Sequence, residues 1–172
     1  MEALDGLENA PEEHYYPFEP RDYAFSAERA DYLAKFADLR TGAGNKYLAY
    51  GRMLPPLEFE RGRISMDWFH YNHGKETKEY NDSGTLEVDA IVHSAWRFKE
   101  ESIGLFFANV SEESRRVKAA LEPGRYGLTG SSFRYVLFTE GSDGASIALA
   151  PEAGGTFELE IPARSVILLE IH

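Results

Sequence analysis

The chain has 172 residues, of which 43% are hydrophobic and 27% are charged, and it contains no cysteine. That length fits one domain with a substantial core, or one domain with an added helix, and the composition is typical of a globular protein. The lack of cysteine excludes disulfides, a cysteine nucleophile and a cysteine-ligated zinc site.

The formal net charge of −11 is concentrated towards the amino end. Residues 1–20 hold six acids and no lysine or arginine, which gives −6, and the other 23 acids and 18 bases give −5. An acidic surface repels nucleic-acid phosphates and anionic lipids, so we expect neither nucleic acid nor a membrane as a partner. No stretch reaches the roughly 18 apolar residues of a membrane span. The sequence shows no secretory signal, and the compartment is left undetermined.

One helix is predicted, near the amino end. Residues 1–25 are acidic and contain prolines, which predicts a lead-in or linker. A helix is predicted over residues 27–40, because Ser26 can cap its start and Gly42 and Gly44 can end it. Its apolar side chains lie on more than one side of the helix. This pattern indicates either that the helix packs against two separate surfaces or that it packs only against nearby residues.

Two adjacent prolines predict a domain boundary. Residues 46–54 look extended, and Pro55 and Pro56 stop regular pairing because proline lacks the donor of a ladder hydrogen bond. We therefore expect residues 26–54 to form a helix and a connecting strand, and residues 55–172 to form the main domain.

A β-hairpin is predicted over residues 88–110, and the rest of the chain can be arranged around it. Residues 88–98 alternate between two sides, residues 99–102 are a polar turn, and residues 103–110 are almost continuously apolar. Such an apolar run is typical of a strand that is covered on both faces. The pair needs a second layer over its apolar face, which favours a sandwich or a barrel.

Further strands are predicted at short intervals. An imperfect alternation over residues 58–69, with a bend at Gly62, predicts one or two strands, and polar residues 71–84 predict a loop. Later strand segments are predicted at residues 115–121, 126–128, 133–140, 145–149, 156–161 and 165–171. No helical period is seen beyond Arg40. The predicted fold class is therefore mainly β, an antiparallel β-sandwich of about eight strands preceded by one α-helix.

An aromatic cluster at a predicted strand end is the best candidate ligand site. It consists of Trp68, His70, Tyr71 and His73, and aromatic rings beside polar loop groups can stack on a sugar. The alternative is that Trp68 belongs to the core and the others flank a loop. We expect no metal there, because histidines three residues apart at a strand end point to opposite faces.

No other site is assigned a ligand. Loop residues with oxygen ligands of the type that calcium prefers are Asn81, Asp82, Glu87 and Asp143, but their spacing is not that of an EF-hand, so solvated side chains and no cofactor are expected. Trp96 is interpreted as core. The glycosylation acceptor at Asn109 lies in or beside a predicted buried strand and is discounted.

No catalytic residue is assigned either. Glycoside hydrolysis needs two carboxyl groups on either side of a bond, and the sequence does not pair any two of its acids across a cleft. A serine-centred elbow, a phosphate-binding glycine loop and a dinucleotide fingerprint are all missing from the sequence.

Three segments resemble the carboxy-terminal region of glycoside-hydrolase-like proteins. They are residues 45–56 (NKYLAYGRMLPP), 90–111 (AIVHSAWRFKEESIGLFFANVS) and 161–171 (IPARSVILLEI). More narrowly, the chain resembles an uncharacterised bacterial family expected to carry a (β/α)8 barrel followed by a β-sandwich. The resemblance covers about residue 27 to the end. It implies that the helix is the last of the barrel, that the chain begins inside a longer product, and that the catalytic carboxylates lie upstream.

The expected function is that of a non-catalytic accessory β-sandwich domain of a glycoside hydrolase. Its expected partner is the missing catalytic barrel, or a second copy of the chain, bound through the helix from Ala27 to Arg40. The alternative is a carbohydrate-binding module that uses the aromatic residues 68–73. A third hypothesis, a stand-alone enzyme, is kept behind these two.

Overall fold

A computed structural model describes residues 27–70, 82–100, 102–128, 133–140, 145–147 and 155–172. The chain divides into two compact units, Met1–Ala30 with Ser65–Val88, and Asp31–Ile64 with Asp89–His172. Among the described residues, no helix has the length and apolar character needed to cross a membrane. The predicted lead-in over residues 1–25 lies outside the described residues, and the predicted domain boundary at residue 55 stays a prediction.

The larger unit contains an antiparallel sandwich of eight described strands, so the predicted fold class is confirmed. The strands are β1 (Arg52–Leu54), β4 (Ile91–Phe98), β5 (Ser102–Asn109), β6 (Arg115–Ala120), β7 (Tyr135–Phe138), β8 (Ala145–Ile147), β9 (Thr156–Ile161) and β10 (Ser165–Ile171). The first sheet has six strands in the order β1-β4-β5-β10-β7-β8, and the second sheet pairs β6 with β9. The strand predicted at residues 126–128 is wrong, because Pro123–Tyr126 form a short 3₁₀ helix that ends there.

The predicted hairpin lies in the six-stranded sheet. Strands β4 and β5 pair antiparallel, with the register running from Ile91 opposite Asn109 to Phe98 opposite Ser102. Lys99 turns the chain with φ of 52°. Nearly every residue of β5 is buried, because one face of the strand contacts the second sheet while the outer face is covered by a helix. The prediction of a strand covered on both sides is therefore confirmed.

The main core fills the space between the two sheets. Residues of β4 alternate, so that Ile91, His93 and Ala95 are buried on the inner face while Val92 is exposed on the outer face. The second sheet closes this core with the inward side chains of β6 and β9, and the rings of Phe107 and Phe157 meet across it at 6.4 Å. The period of two in each strand thus produces one continuous apolar layer.

Two helices precede the sandwich strands in the sequence. The predicted helix is present as α1 (Ala27–Thr41) and ends at the glycines, where the Gly42 and Gly44 amides donate to Asp38 and Leu39 carbonyls. The prediction of an extended segment over residues 46–54 is wrong in its first part, because α2 (Asn45–Tyr50) is helical. The same helix corrects the statement that no helix follows Arg40.

The reason for the error is that α2 is held by tertiary contacts. A helix of six residues has fewer than two turns, so it shows no readable period and would be unstable on its own. It forms here because the side chain of Tyr47 is fully buried on the sheet. The outer cluster that covers this face contains Tyr47, Phe106 and Leu168, with Trp96 and Phe98 among its half-buried members.

A second pair of strands was only partly predicted. β2 (Arg63–His70) and β3 (Asp82–Asp89) form a two-stranded sheet, and within it the hydroxyl of Thr85 donates to Asp67 at 3.3 Å. The expected bend before β2 is confirmed by the φ of 65° at Gly62. The predicted loop over residues 71–84 is wrong at its end, since residues 82–84 belong to β3. Polar strands such as this one lack the apolar alternation on which the prediction relied.

Candidate functional site

A carboxylate is buried on the outer face of the six-stranded sheet. Glu170, which is 4% exposed, lies in β10 between Gly104 of β5 and Val136 of β7. It is the only charged residue in a strand that otherwise reads as apolar. A buried carboxylate is stable only with charged or hydrogen-bonded partners, so its surroundings decide its role.

Three side chains satisfy this carboxylate. The hydroxyl of Tyr47 donates to Oε1 of Glu170 at 2.6 Å and lies 2.8 Å from the hydroxyl of Ser102. Because a phenol has one proton, Ser102 must donate to Tyr47 when Tyr47 donates to the carboxylate. The ammonium of Lys46 also binds Oε1, and Nε2 of His172 lies 3.3 Å from it. These polar contacts link α2 to β10.

A glycine makes room for this arrangement. The ring of Tyr47 lies flat over Gly104, where an added Cβ would stand 2.8 Å from two ring carbons. Real Cβ atoms do not approach other heavy atoms so closely, so any larger residue would push the ring away from the sheet. Gly104 therefore lets the Tyr47 hydroxyl reach Ser102 and Glu170.

The electrostatics of the cluster favour a charged carboxylate and a neutral phenol. Burial by itself would raise the pKa of Glu170, but hydrogen bonds from Lys46 and Tyr47 outweigh it and hold that pKa below its usual range. Burial, and then the neighbouring carboxylate, raise the pKa of Tyr47. In the described part of the chain, the groups that contact Glu170 are an ammonium, a phenol and an imidazole, whereas glycoside hydrolysis needs a second carboxyl group across a cleft. The geometry of this cluster serves to fasten α2 to the sheet.

A histidine is buried on the inner face. Nδ1 of His93 lies 2.8 Å from the carbonyl oxygen of Phe106, so this nitrogen carries the proton, and the ring stacks on Phe107 at 4.5 Å. Its Nε2 has no hydrogen-bond partner in the described part of the chain. Burial, with a smaller effect of Arg61, lowers the pKa of His93 to about 4. The imidazole is consequently neutral at pH 7 and acts as a core side chain.

A third feature is an apolar groove between α1 and the outer face of the sheet. Its volume is about 100 Å³, and its lining includes Phe36, Leu39 and Arg40 from α1 and Val92, Ala108 and Val166 from the sheet. Two of these lining side chains are largely exposed, Phe36 to 43% and Val92 to 54%, and Leu33, which lies about one turn before Phe36 on the same side of α1, is 63% exposed. The groove and these three side chains form what we call the helix flank.

The side chains predicted to form a sugar platform lie outside the described residues. Trp68 and His70 belong to β2, but their side chains lie outside the described residues, as do Tyr71 and His73. The hypothesis of a carbohydrate-binding module that depends on them stays a prediction. Trp96 is half-buried in the outer cluster, and its indole N–H donates to Ser94 at 3.0 Å.

Of the four candidate calcium ligands, only Glu87 has a described side chain. Asn81 and Asp143 lie outside the described residues, the side chain of Asp82 is not described, and Glu87 stands exposed in β3. Across the described ranges, no group of three or more histidine or acidic side chains is placed to hold a metal ion. The oxygen-rich loops therefore remain unassigned.

The discounted glycosylation acceptor has a structural role. Asn109 is fully buried, and its amide nitrogen lies 2.8, 3.1 and 2.9 Å from the carbonyl oxygens of Glu113, Ile161 and Pro162. Its own oxygen accepts from the amide and hydroxyl of Ser111. A buried amide that is fully hydrogen-bonded is not accessible for glycosylation, and it ties the end of β5 to the end of β9.

Comparison with known proteins adds distant structural neighbours. No protein-family model matches the sequence, and neither does any curated protein. Among solved structures, the chain is similar to a glycoside hydrolase family 30 subfamily 8 xylanase from Clostridium acetobutylicum, at 16% identity over 48% of this chain and 20% of that chain, with a TM-score of 0.34. It is also similar to a GH51 arabinofuranosidase from Xanthomonas axonopodis pv. citri, at 18% identity over 54% and 22%, with a TM-score of 0.36.

A third neighbour is a xyloglucanase of glycoside hydrolase family 44 from Paenibacillus polymyxa, at 13% identity over 53% of this chain and 18% of that chain, with a TM-score of 0.33. The chain thus spans about a fifth of the length of the solved structures it matches. These distant neighbours are all glycoside hydrolases, and similarity at this level assigns neither a family nor an activity.

Proposed function

We propose that this chain is a non-catalytic β-sandwich domain that packs through the helix flank against the (β/α)8 barrel of a glycoside hydrolase. The observation that carries the proposal is the exposure of Leu33, Phe36 and Val92 around an apolar groove. The class of partner comes from the resemblance of three sequence segments to glycoside-hydrolase-like proteins.

Burial of the flank supplies the driving force for docking. Fully burying a leucine, phenylalanine or valine side chain contributes about 1.5 to 3 kcal/mol, and Leu33 and Phe36 each leave a large part of this gain unused. Their positions, three residues apart on α1, place both on the same side of the helix. Such a patch suits a flat contact between domains, which typically covers about 600 to 1,500 Å².

Two carboxylates that are bound by cationic side chains support packing as the role of the domain. Glu170 is bound by Lys46 and Tyr47, and Asp89 accepts from Arg63 at 2.7 Å and lies 3.3 Å from Arg61. The guanidinium of Arg63, with that of Arg61, holds the pKa of Asp89 below its usual range. Carboxylates bound in this way stabilise structure and are poor general acids.

The first test is the reading frame upstream of the Met1 codon. We expect it to continue into a sequence with the alternating strands and helices of a (β/α)8 barrel. An in-frame stop codon close upstream, with no barrel-encoding gene beside it, would overturn the choice of partner.

The second test places Leu33→Asp and Phe36→Asp together in the parent protein. We expect the barrel to lose hydrolytic activity at a lower temperature, because two charges would be buried in the contact. Met53→Asp is the matched control, since Met53 is 62% exposed, as Leu33 is, but lies on β1 outside the groove lining. Equal inactivation temperatures for the flank variant and the control would contradict docking through this surface.

The third test is the activity of the chain by itself. Purified and assayed on xylan and on p-nitrophenyl glycosides, it is expected to release no product above the buffer blank. Turnover that disappears in Glu170→Gln would contradict the non-catalytic role.

A further inference from the structure

We propose that the groove of the helix flank receives one apolar side chain of a partner segment whose neighbouring carboxylate pairs with Arg40. This inference rests on the proposed function, because it names the chemistry of the surface that docks there. It concerns the partner's residues, which the docking proposal leaves open.

The size of the groove limits its occupant. A cavity of about 150 Å³ lined by apolar side chains binds a molecule of the size of benzene, and this groove has about 100 Å³. The groove is smaller than that cavity, so a single side chain of leucine or phenylalanine size enters it in part and lays its remaining carbon atoms on the rim, while a whole helix does not enter it.

The chemistry of the lining limits the occupant further. Most of the lining is apolar, as at Phe36, Leu39 and Val166. The polar lining side chains of His93 and Ser94 already bind the Phe106 carbonyl and the Trp96 indole. A sugar ring with several hydroxyl groups would therefore lose hydrogen bonds to water with little replacement. The exposed Leu33 and Val92 at the rim extend the apolar surface beyond the groove. A free small molecule would leave that rim in water, whereas a protein segment covers groove and rim together.

The positive charge of Arg40 at the rim of the groove favours a partner segment that is acidic. Arg40 is exposed and lines the groove, and it makes no ion pair with any other residue in the described part of the chain. The other described cation of α1, Lys35, is bound by Asp31 at 2.6 Å and by Glu140 at 3.0 Å. A carboxylate beside the inserted side chain would give Arg40 a charge-assisted hydrogen bond at the edge of an apolar surface.

A second copy of this chain fits less well. The protruding side chains of the flank are Leu33 and Phe36. Among the described residues that line the groove, Arg40 is the charged one, so pairing two flanks would bring two such cations together without a lining carboxylate. Like charges close together in a contact disfavour it. We therefore assign the groove to a different segment.

The experiment uses blocked dipeptides as probes and the methyl NMR signals of Val92 and Val166 as the readout at low salt. We expect a blocked Phe-Glu dipeptide to shift both signals with millimolar affinity. We expect Phe-Gln to bind at least threefold more weakly, because only the charge is lost, and Ala-Glu to bind more weakly still, because the groove stays empty.

Two variants connect the preference to one residue. Arg40→Met keeps the aliphatic stem and removes the charge, so the difference between Phe-Glu and Phe-Gln should disappear. Arg52→Met is the matched control, because Arg52 is an exposed arginine on β1 outside the groove lining, and it should keep the difference. Equal affinity of the two probes, or a preference for Phe-Glu that survives Arg40→Met, overturns the inference.

Two further outcomes separate this inference from the proposed function. If the signals of Val92 and Val166 move with protein concentration in the absence of a probe, a second copy covers the groove and the acidic partner is wrong. If the probes show no preference while Leu33→Asp and Phe36→Asp destabilise the parent, docking stands and the chemistry of the partner is wrong. If the probes bind as expected and those variants have no effect, the chemistry stands and docking is wrong.

Discussion

Replacing Gly104 by alanine tests the arrangement of the outer cluster. An alanine in a strand interior normally gains about 0.5 to 1 kcal/mol over glycine. Here the added Cβ would stand 2.8 Å from the ring of Tyr47, and overpacking of this kind costs about 1 to 3 kcal/mol. Lifting the ring also breaks the hydrogen bond to Glu170, and a hydrogen bond to a charged group contributes about 1.5 to 3 kcal/mol. Together these contributions give an expected net loss of about 1.5 to 5.5 kcal/mol.

The assay is urea unfolding followed by tryptophan fluorescence. Gly104→Ala should lower the midpoint and leave the m-value unchanged. Gly124→Ala is the matched control, because a Cβ there has nothing within 4 Å, and it should be neutral or stabilising by about 0.5 kcal/mol. In a Tyr47→Ala background the cost at Gly104 should vanish, since the ring is gone. An equal effect at both glycines, or an undiminished cost without the ring, would refute the reasoning.

Three further predictions concern buried polar side chains. Tyr47→Phe removes a donor to buried Glu170 and should cost about 1 to 3 kcal/mol in urea unfolding, whereas Tyr50→Phe, at a 76% exposed position, should be silent. Burial lowers the pKa of His93 to about 4 in the folded protein. As the pH falls, the unfolded chain therefore binds a proton at this residue before the folded protein does. Stability from His93 is therefore complete above pH 6.5 and falls by about 3 kcal/mol towards pH 4. His93→Phe should reduce that pH slope, and an unchanged slope would contradict the assignment. Asn109→Ala should cost at least about 3 kcal/mol, because the buried carbonyl of Ile161 loses its donor and the buried amide and hydroxyl of Ser111 lose their acceptor, and a loss below 1 kcal/mol would show that water replaces the amide.

The limits of sequence reasoning are visible in the two helices. α1 has 15 residues and two glycines after it, so local signals were enough to place it within one residue at its end. α2 has six residues, and it depends on a tyrosine that reaches a carboxylate 123 positions away. No local pattern carries that information. The one usable signal was the lone acid in the apolar run of β10, because an unpaired carboxylate there would be too costly to bury.

The candidate site shows the same division. The sequence predicted a ligand site at the aromatic residues 68–73, whereas the described structure has an exposed apolar groove at the helix flank. The sequence predicted that Leu33 and Phe36 belong to a wide apolar surface of α1. Val92 lies far away in the sequence, in β4, and only the pairing of β4 in the sheet brings it beside α1.

The sequence by itself determined the fold class, the central hairpin, α1 and most of the strands, because periods of 2 and 3.6 residues and the positions of glycine and proline act over short distances. Tertiary structure alone decided the helix of α2, the polar cluster at Glu170, the role of Asn109 and the groove. Each of these depends on side chains that are distant in sequence and that meet only after the sheets have formed.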